Sequence, residues 1–417
     1  MNAPNQAENA VAGHPQRLQP GLYHDLMTPA ESLAIREEVR RFCDAEVAPV
    51  AWEIGHREEA REHFPRELFQ KMASAGLFRI PFKREVGGRG LNYACTATAI
   101  TIEELAYYSN SVAAIYDVHC ILAGHALEHA SPELQRRYLA PLLAGDKIGS
   151  FATTEPDAST DLSVGMMKTV ARLDGDKYVV NGQKRYITNA PVADFVVLLC
   201  VDGERMTELV IDLDAPGVTV GAPDKKLGNH GQLTADIHFD NVEVPVSNAV
   251  GELGGGLRIA LQTLTYGRTG IAASGVGMAQ SIFDHSVERL KTRRAFGKAV
   301  AQFQHWQFKM AERATEIENA RNLYVKAALR MDAGVAFPEP EAAMAKYYAT
   351  NLAGEFARDG VQIFGGYGYM RELGHDRSHY HVEEVYRDAK IAEIYEGTNE
   401  IQKWVIARTI FGKEITA

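Results

Sequence analysis

The texture of the chain changes twice along its length, and this order limits the fold more than any other feature. Apolar residues recur at spacings of three and four up to about residue 148, which is the period of helices with one buried face. Short β-prone runs and turn formers follow, and helical spacing returns after Gly254-Gly255-Gly256. This order lacks the strand-helix alternation of a doubly wound fold, so a Rossmann dinucleotide site is disfavoured.

The sequence therefore predicts an α+β chain of several domains, as its 417 residues also suggest. The predicted segments are a flexible N-terminal tail (1–27), a helical N-terminal domain (28–149), a small β-barrel-like middle domain (150–255) and a C-terminal four-helix bundle (256–417). Thr28-Pro29-Ala30-Glu31 predicts the first long helix, with the threonine as N-cap. An apolar stripe from Trp306 to Met331 predicts one helix of the bundle.

The middle domain is predicted from short runs that favour strands. These runs are Tyr178-Val179-Val180, Tyr186-Ile187-Thr188, Phe195 to Val201, Val218-Thr219-Val220 and Ile237-His238-Phe239. Asp174-Gly175-Asp176 and Asn181-Gly182 are predicted to be turns between them.

Charge and cysteine content exclude several classes of function. The formal net charge is -10, from 54 acidic against 44 basic residues, so a nucleic-acid partner is not expected. Four widely spaced cysteines without a CxxC motif favour a reducing, cytoplasmic compartment. The longest apolar run, Phe195 to Val201, is far shorter than a membrane-spanning helix, and no signal peptide is expected in residues 1–20.

Three places in the chain suggest chemistry. The segment Thr153 to Asp161 concentrates hydroxyls and turn formers, which suits a polar ligand and equally suits an ordinary loop. Tyr186 and Thr188 are predicted to share one face of a strand, where core packing is the alternative explanation. Glu396 lies between aromatic and apolar neighbours and a glycine; its carboxylate is either a desolvated base or a solvated group at a helix start.

In combination these fragments resemble the acyl-CoA dehydrogenase family of flavoproteins, over about residues 28 to 412. The matching segments are the Thr154-Glu155-Pro156 motif with Ser159-Thr160-Asp161, Asn181 to Asn189, Arg293 to Lys298 with Gln304, Gln362 to Gly366, Tyr386 to Lys390 and Ile394 to Gln402. On glycines alone, Gly365-Gly366-Tyr367-Gly368 is better explained as a helix end than as a GxGxxG motif.

The resemblance implies an acyl-CoA dehydrogenase-like fold, a homotetramer and bound FAD. The residues it implies for FAD are Phe151, Thr153, Thr154, Ser159, Thr160, Tyr186, Thr188, Arg293, Phe296, Gln304, Gln362, Gly365, Gly366, Thr398 and Glu400. Among these, Arg293, Phe296, Gln304, Gln362, Gly365 and Gly366 are expected to act on a neighbouring subunit's cofactor. Those implied for the substrate are Thr160, Arg268, Tyr395, Gly397 and Asp117.

The reaction implied by the resemblance is α,β-dehydrogenation of an acyl-CoA to the 2,3-enoyl-CoA. Glu396 is the implied base for the α proton, the flavin accepts the β hydride, and electrons pass to an electron-transferring flavoprotein. Some family members carry the base just before the arginine matched by Arg268, where this chain has Gly267. A flavin monooxygenase or oxidase on the same fold, a dehydrogenase of carrier-bound acyl groups and a non-catalytic relative are the alternatives.

Two departures from the family pattern affect the substrate. Asn229-His230-Gly231-Gln232 stands where many relatives have an arginine and a serine, which puts a contact to the CoA arm in doubt. The insertion Gly374 to His381 is expected to be a solvated polar loop, and no metal is assigned to its histidines. Asp117 either closes a short acyl pocket, meets a polar acyl tail or points away, and short to medium acyl groups remain open.

Overall fold

A computed structural model describes residues 14–158 and 160–416 of the chain. Helices dominate both ends of it. They are α1 (Gln19–Leu22), α2 (Ala30–Phe42), α3 (Ala51–His56), α4 (Arg66–Ser74), α5 (Ala94–Tyr108), α6 (Asn110–Tyr116), α7 (His125–Glu128), α8 (Pro132–Leu134), α9 (Ala140–Ala144), α10 (Gly256–Thr292), α11 (Gln304–Asp332), α12 (Glu341–Phe364), α13 (Gly366–Tyr369), α14 (His381–Ala392) and α15 (Asn399–Phe411).

The middle of the chain is a β domain. Its strands are β1 (Gly149–Ala152), β2 (Val170–Asp174), β3 (Lys177–Thr188), β4 (Phe195–Asp202), β5 (Arg205–Asp212), β6 (Val218–Val220), β7 (Thr234–Pro245) and β8 (Ala249–Val250). The described strands form one open sheet in the order β6-β7-β3-β2-β4-β5-β8, with β1 parallel to β4. The predicted β-barrel-like shape is therefore wrong, since the two ends of this path do not pair.

The strand β4 shows how the β domain joins the helices. Its alternate side chains face opposite sides of the sheet, as in any strand: Val196 and Leu198 belong to a core inside the β domain. Val197 and Leu199 belong to the larger core shared with the helical domains. Both faces of the sheet at β4 are thus buried, each against a different apolar core.

The C-terminal helices α10, α11 and α12 pack together, and α5 of the N-terminal domain packs against α10. Small residues allow this close packing. A Cβ atom on Gly275 of α10 would lie 2.8 Å from the carbonyl oxygen of Ala349 on α12, so the two backbones touch there. The helical domains consequently share one continuous core.

One helical run changes its geometry in the middle. After α6 ends at Tyr116, residues Asp117–Gly124 form a π-helical segment that continues into α7. Short π-helical stretches inside longer helices occur preferentially at functional sites. Asp117, a residue that the sequence analysis implies for the substrate, is the first residue of this segment.

Most predicted elements are confirmed. The five predicted runs fall in β3, β4, β6 and β7, and the stripe from Trp306 to Met331 lies in α11. Asp174-Gly175-Asp176 connects β2 to β3 as predicted, with Asp174 opposite Lys177. None of the described helices combines the length and apolar character that crossing a bilayer requires.

Three predictions about local structure are wrong. The helix α2 begins after Pro29, and no side chain, including that of Thr28, caps it. Asn181-Gly182 is not a turn but a bulge within β3, where the pairing with β7 slips by a residue. The predicted flexible tail holds packed residues between 14 and 27, whereas residues 1–13 lie outside the described part of the chain.

The contacts of residues 14–27 explain why this part of the chain is packed. Arg17 Nη1 donates to Glu104 Oε2 at 2.7 Å, and the Tyr23 hydroxyl donates to the carbonyl of Ala314 at 2.9 Å. The residues of this segment therefore bridge the N-terminal domain and α11.

Buried charges tie α2, α5 and α11 together. Glu103 accepts from Arg321 Nη2 at 2.9 Å and from the Tyr324 hydroxyl, with Arg36 Nη2 3.8 Å away. Burial alone would raise the pKa of Glu103, but Arg321 and Arg36 outweigh it and lower the pKa to about 2. The ionised carboxylate is thus an integral part of this core.

We expect Glu103→Gln to lower the free energy of unfolding by about 3–5 kcal/mol, because it removes the buried carboxylate that faces both Arg321 and Arg36. Urea unfolding measures the effect, and Glu53→Gln in the exposed Glu53–Arg57 pair is the control. The stabilisation by Glu103 is complete above the ordinary glutamate pKa and is lost as pH falls toward about 2. Equal destabilisation by the two variants at neutral pH would contradict the role of the network.

Candidate active site

The loop between α14 and α15 has an unusual backbone. Glu396 has φ 53° and Gly397 has φ 86°, so two successive residues are left-handed. For a residue with a Cβ atom this conformation costs about 1–3 kcal/mol and persists only where the surroundings enforce it. The loop therefore holds the Glu396 side chain in a position that the chain would not adopt by itself.

The carboxyl group of Glu396 lies directly on the backbone of α10. A Cβ atom on Gly267 would be 2.6 Å from Glu396 Cδ and nearer still to Oε2. Real Cβ atoms do not approach so closely, so Gly267 is required for this placement. Some family members carry the base at this position. In this chain the position is Gly267, and the Glu396 carboxyl group packs against its backbone.

Asp117 occupies the next place along the same face of α10. A Cβ atom on Gly270 would lie 2.5 Å from Asp117 Oδ1. Gly267 and Gly270 are one helical turn apart, so the two carboxyl groups are neighbours over the same face. The structure brings Glu396 and Asp117 together in one slot.

This slot is poor in protein hydrogen-bond donors. Both Asp117 oxygens and Glu396 Oε2 are inaccessible to solvent and have no donor among the described residues. Burial raises the pKa of Glu396, opposed by Asp117, Lys346 and Arg268, and burial together with Glu396 raises that of Asp117 much further. Of the two carboxyl groups, Glu396 is therefore the more readily ionised.

Two more predicted residues lie beside this pair. Arg268 Nη1 forms an ion pair with Glu339 Oε1 at 3.0 Å, and its Nε is 3.9 Å from the position a Cβ would take on Gly397. The Tyr395 hydroxyl is inaccessible, and burial raises its pKa. Glu396, Asp117, Arg268, Tyr395 and Gly397 thus form one cluster, as the sequence analysis implied.

A second cluster forms where β1 and β3 end. The Ser150 hydroxyl donates to the Thr188 carbonyl at 2.7 Å, and Arg185 N donates to the Thr154 carbonyl at 2.9 Å. These bonds bring the segment Thr153-Thr154 beside Tyr186 and Thr188. Phe151 is buried in the core next to them.

A buried ion pair that the sequence analysis did not assign to the site fixes the second cluster. Lys184 Nζ donates to the Thr153 carbonyl at 3.0 Å and to Glu155 Oε1 at 2.9 Å. Glu155 also accepts from the backbone N–H groups of Lys168 and Thr169. Burial lowers the pKa of Lys184, opposed by Glu155. The sequence pattern of β3 did not predict the Lys184–Glu155 pair, because a lysine in a strand is ordinarily exposed.

The backbone conformation singles out further predicted residues. Besides asparagines, the described residues with a Cβ and positive φ are Tyr186, Phe296, Arg377 and Glu396. Three of these four are residues that the resemblance implies for cofactor or catalysis. Tyr186 is also 62% exposed and Phe296 95% exposed. Most of each ring is therefore uncovered in the single chain, with Arg185 beside Tyr186 and Phe303 at the edge of Phe296. Strained backbone of this kind concentrates at functional sites.

The remaining predicted residues lie at the surface of the single chain. The exposed ones are Thr160, Arg293, Gln304, Gln362, Gly365, Gly366 and Glu400. Gly365 ends α12 with φ 62°, which confirms the helix-end explanation of this glycine cluster. Thr398 caps α15 by accepting from Ile401 N. Ser159 lies outside the described residues.

The insertion 374–381 differs in part from the predicted solvated loop. Residues 374–377 are exposed, but the ring of His379 stacks on that of Trp52 at 4.4 Å and His381 faces Glu384. Within the described ranges, no three His, Cys, Asp or Glu side chains are arranged to hold a metal ion.

The sequence relates Asn229 to a contact with the CoA arm, but its hydrogen bonds in the structure are to other parts of the protein. It is left-handed and buried, its backbone N–H donates to Asp388 Oδ1 at 2.7 Å, and its side-chain oxygen accepts from Asn110 Nδ2 at 2.9 Å. The residue joins the β domain to α6 and α14.

Comparison with known proteins assigns each part of the chain to one family. Residues 29–146 match the N-terminal domain of acyl-CoA dehydrogenases, 150–242 the middle domain and 254–411 the C-terminal domain.

The relatives agree with this match. A short-chain-specific acyl-CoA dehydrogenase of Clostridium acetobutylicum is 39% identical, covering 93% of this chain and 100% of that protein. Butyryl-CoA dehydrogenase of Megasphaera elsdenii superposes with a TM-score of 0.84 at 33% identity, covering 92% and 98%. A Mycobacterium smegmatis glutaryl-CoA dehydrogenase in complex with FADH2 gives 0.84 at 25% identity, covering 93% and 96%.

We expect Gly267→Ala to push the Glu396 carboxyl group out of the slot, because the new methyl group would occupy the same space. Crystal structures of the variant and the parent measure the displacement, which we expect to exceed about 1 Å. Gly21→Ala, whose Cβ meets nothing within 4 Å, is the control. An unmoved Glu396 in Gly267→Ala would show that the slot is more open than described.

Proposed function

Because the chain belongs to the acyl-CoA dehydrogenase family of oxidoreductases, we propose that it converts an acyl-CoA to the 2,3-enoyl-CoA with Glu396 as the base. The observation that carries this proposal is the placement of Glu396 in a left-handed loop over Gly267. A carboxylate with few donors around it is a stronger base than one in water, which is what removal of a weakly acidic α proton requires.

The backbone around Glu396 supplies the other requirement. As the α proton leaves, negative charge develops on the thioester oxygen, and a donor must meet it there. By family similarity we assign this hydrogen bond to the backbone N–H of Glu396. The left-handed loop fixes this N–H and the carboxylate on one rigid residue, so the base and the oxyanion donor keep their relative position.

The residues of the second cluster fit FAD. A planar heteroaromatic ring needs hydroxyl and N–H donors at its edge and an apolar or aromatic face, and Thr153, Thr154, Thr188 and the exposed ring of Tyr186 offer these. When bound, FAD supplies the acceptor for the β hydride. We propose that Thr188 lies nearest the reacting edge, that Thr160 and Ser159 meet the cofactor's polar parts, and that Thr398 and Glu400 also contact it.

The exposed predicted residues support an oligomer. Phe296 is left-handed and 95% exposed, a costly arrangement for an aromatic ring unless another molecule covers it. We propose a homotetramer in which Arg293, Phe296, Gln304, Gln362 and the Gly365-Gly366 turn complete a neighbouring subunit's FAD site. Light scattering of the purified protein, with and without FAD, tests this assembly.

The electron acceptor and location follow from the family and from the cysteines. We propose that an electron-transferring flavoprotein accepts the electrons. Cys43, Cys95, Cys120 and Cys200 are free thiols in the structure, which suits a reducing compartment, and we place the protein in the cytoplasm.

The acyl group is proposed to be short and compact. Asp117 and the side chains of Ile102 and Ile121 close over Gly270 next to the base, leaving little depth for a long chain. Arg268 is already paired with Glu339, and the carboxyl pair is itself negative, so a terminal carboxylate on the acyl group is disfavoured. The short-chain and butyryl-CoA specificities named for the two relatives point the same way.

A panel of acyl thioesters tests the function and the alternatives together. Anaerobic bleaching of the flavin band by a short acyl-CoA supports the dehydrogenase, and bleaching only by carrier-bound acyl groups overturns the choice of CoA. Rapid reoxidation of the bleached enzyme by air favours an oxidase or monooxygenase instead. A protein that cannot be loaded with FAD would be a non-catalytic relative.

We expect Glu396→Gln to retain FAD while its rate of flavin reduction falls by at least about 10²–10⁴, the usual scale for loss of a general base. Stopped-flow reduction with the best thioester of the panel measures the rate. Glu53→Gln, in the exposed Glu53–Arg57 pair away from the slot, is the control. Parent-like reduction by Glu396→Gln would remove Glu396 from the mechanism.

Substitution of Asp117 is expected to change the pH dependence of the same rate. Since the Asp117 carboxyl proton stabilises the Glu396 carboxylate, Asp117→Ala should raise the pKa of Glu396 and move the acid limb of the rate profile to higher pH. Asp117→Asn keeps a neutral donor and should leave that limb near its parent position. Coincident acid limbs in Asp117→Ala and the parent would show that the two groups are not coupled.

A further inference from the structure

Lys346 lies fully buried on α12, within an alanine-rich run. A buried ammonium group is costly unless hydrogen bonds and a counter-charge compensate it. Nothing in the family resemblance assigns this residue a role. Its contacts show what its burial accomplishes.

The Lys346 ammonium group holds the loop that carries the base. Nζ donates to the carbonyl oxygen of Gly397 at 3.0 Å and to Asn399 Oδ1 at 3.0 Å. The same Gly397 carbonyl also accepts from Gln402 Nε2 at 2.8 Å. Two donors from two helices thus fix the peptide that follows Glu396.

Asn399 is in turn held by hydrogen bonds to residues of α12. Its side-chain amide donates to Thr350 Oγ1 at 3.0 Å and to Asn351 Oδ1 at 2.9 Å, and its oxygen accepts from Thr350. Lys346, Thr350 and Asn351 are all on α12, one turn apart or adjacent. The start of α15 is therefore hydrogen-bonded to α12 at several points. These bonds restrict the loop between α14 and α15.

The hydrogen bonds of Lys346 and Gln402 are made where the backbone is strained. Glu396 and Gly397 are both left-handed, and such a conformation needs surroundings that enforce it. The bonds to the Gly397 carbonyl supply that constraint, since any other conformation at Glu396 or Gly397 would turn the carbonyl away from Lys346 and Gln402. The carboxylate of Glu396 keeps its place over Gly267 as a consequence.

The charge of Lys346 acts on the same residue. The titratable groups around Glu396 are Asp117 from the π-helical segment, Arg268 from α10 and Lys346 from α12, while Glu393 and Glu400 flank Lys346. Burial lowers the pKa of Lys346 to about 7, with Glu396 opposing this effect. In return, Lys346 lowers the pKa of Glu396 against the effect of burial.

We propose that Lys346 is a positioning residue for the base: it locks the Gly397 carbonyl so that Glu396 stays over Gly267, and its charge favours the carboxylate form of Glu396. This inference rests on the proposed function, in which Glu396 removes the α proton. It adds a residue on a third element, 50 positions away in the sequence, that determines whether the base is ionised and where it points.

The test measures the base without any electron transfer. Acetyl-CoA suits a short acyl pocket and has α protons but no β hydrogen. In D2O the holoenzyme can therefore only exchange its α protons, which proton NMR follows as a function of pD. We expect Lys346→Met to slow exchange at neutral pD by at least about tenfold, since a misplaced base loses much of its efficiency. Its acid limb should also move to higher pD, because a positive charge near the carboxylate is gone.

Two further variants separate charge from packing. Lys346→Arg keeps the charge and should keep the acid limb near the parent position even where exchange is slower. Thr350→Val removes hydrogen bonds to Asn399 without changing charge, and should lower the unfolding temperature while leaving the acid limb in place. Should Lys346→Met fail to fold, Lys346→Gln takes its place, because it removes the charge and keeps a hydrogen-bond donor. Its acid limb should also move to higher pD, and a parent-like limb in Lys346→Gln would overturn the role of Lys346.

The outcomes distinguish this inference from the proposed function. A parent enzyme that exchanges no α proton of acetyl-CoA, and whose flavin no thioester bleaches, overturns the function. A parent that exchanges, with the same acid limb in Lys346→Met, overturns the role of Lys346 alone. An acid limb that moves as far in Thr350→Val as in Lys346→Met would show that packing, and not charge, sets the base.

Discussion

The constraint on which this site depends is the placement of an ionisable carboxyl group against the backbone of a buried helix. Glu396 reaches that position only because Gly267 has no side chain and because its own backbone is left-handed. A charge placed there loses hydration, which raises the pKa of Glu396, and Asp117, Lys346 and Arg268 oppose that rise. No cation among the described residues forms a direct ion pair with Glu396, and such a pair would weaken it as a base.

Other buried carboxylates in the chain show the contrast. Glu103 and Glu155 are each bonded directly to a buried cation, and the pKa of both is lowered. These groups hold structure together. A raised pKa alone does not mark the site, because burial raises that of Glu384 to about 8. Glu384, however, lies within the regular helix α14 beside His56 and His381, whereas Glu396 lies in a strained loop.

The sequence predicted the order of the domains and the members of the site, but not what holds them. Periodicity revealed α11, β4 and β7 because each has a repeated apolar pattern. Asn181-Gly182 misled because the same pair that makes a hairpin turn also makes a bulge, and strand pairing chose between them. Lys346 and Lys184 carried no signal, since a lysine in a helix or strand is ordinarily exposed and their partners are distant in sequence. Long-range polar contacts of this kind leave no periodicity to read.

The helical run that carries Asp117 explains how three domains build one slot. Asn110 at its start is bonded to Asn229 of the β domain and to Ser274 of α10, and Ser111 accepts from Gly231 N. Asn189, at the end of β3, lies within 3.5 Å of the carbonyl of Ile115. The helical run is thus held by hydrogen bonds to the β domain and to α10 just before its geometry changes at Asp117. A substitution that weakens these contacts would move Asp117 relative to Glu396, which lies over α10. The β domain contributes no carboxyl group to the slot, but it thereby sets the spacing between the two carboxyl groups there.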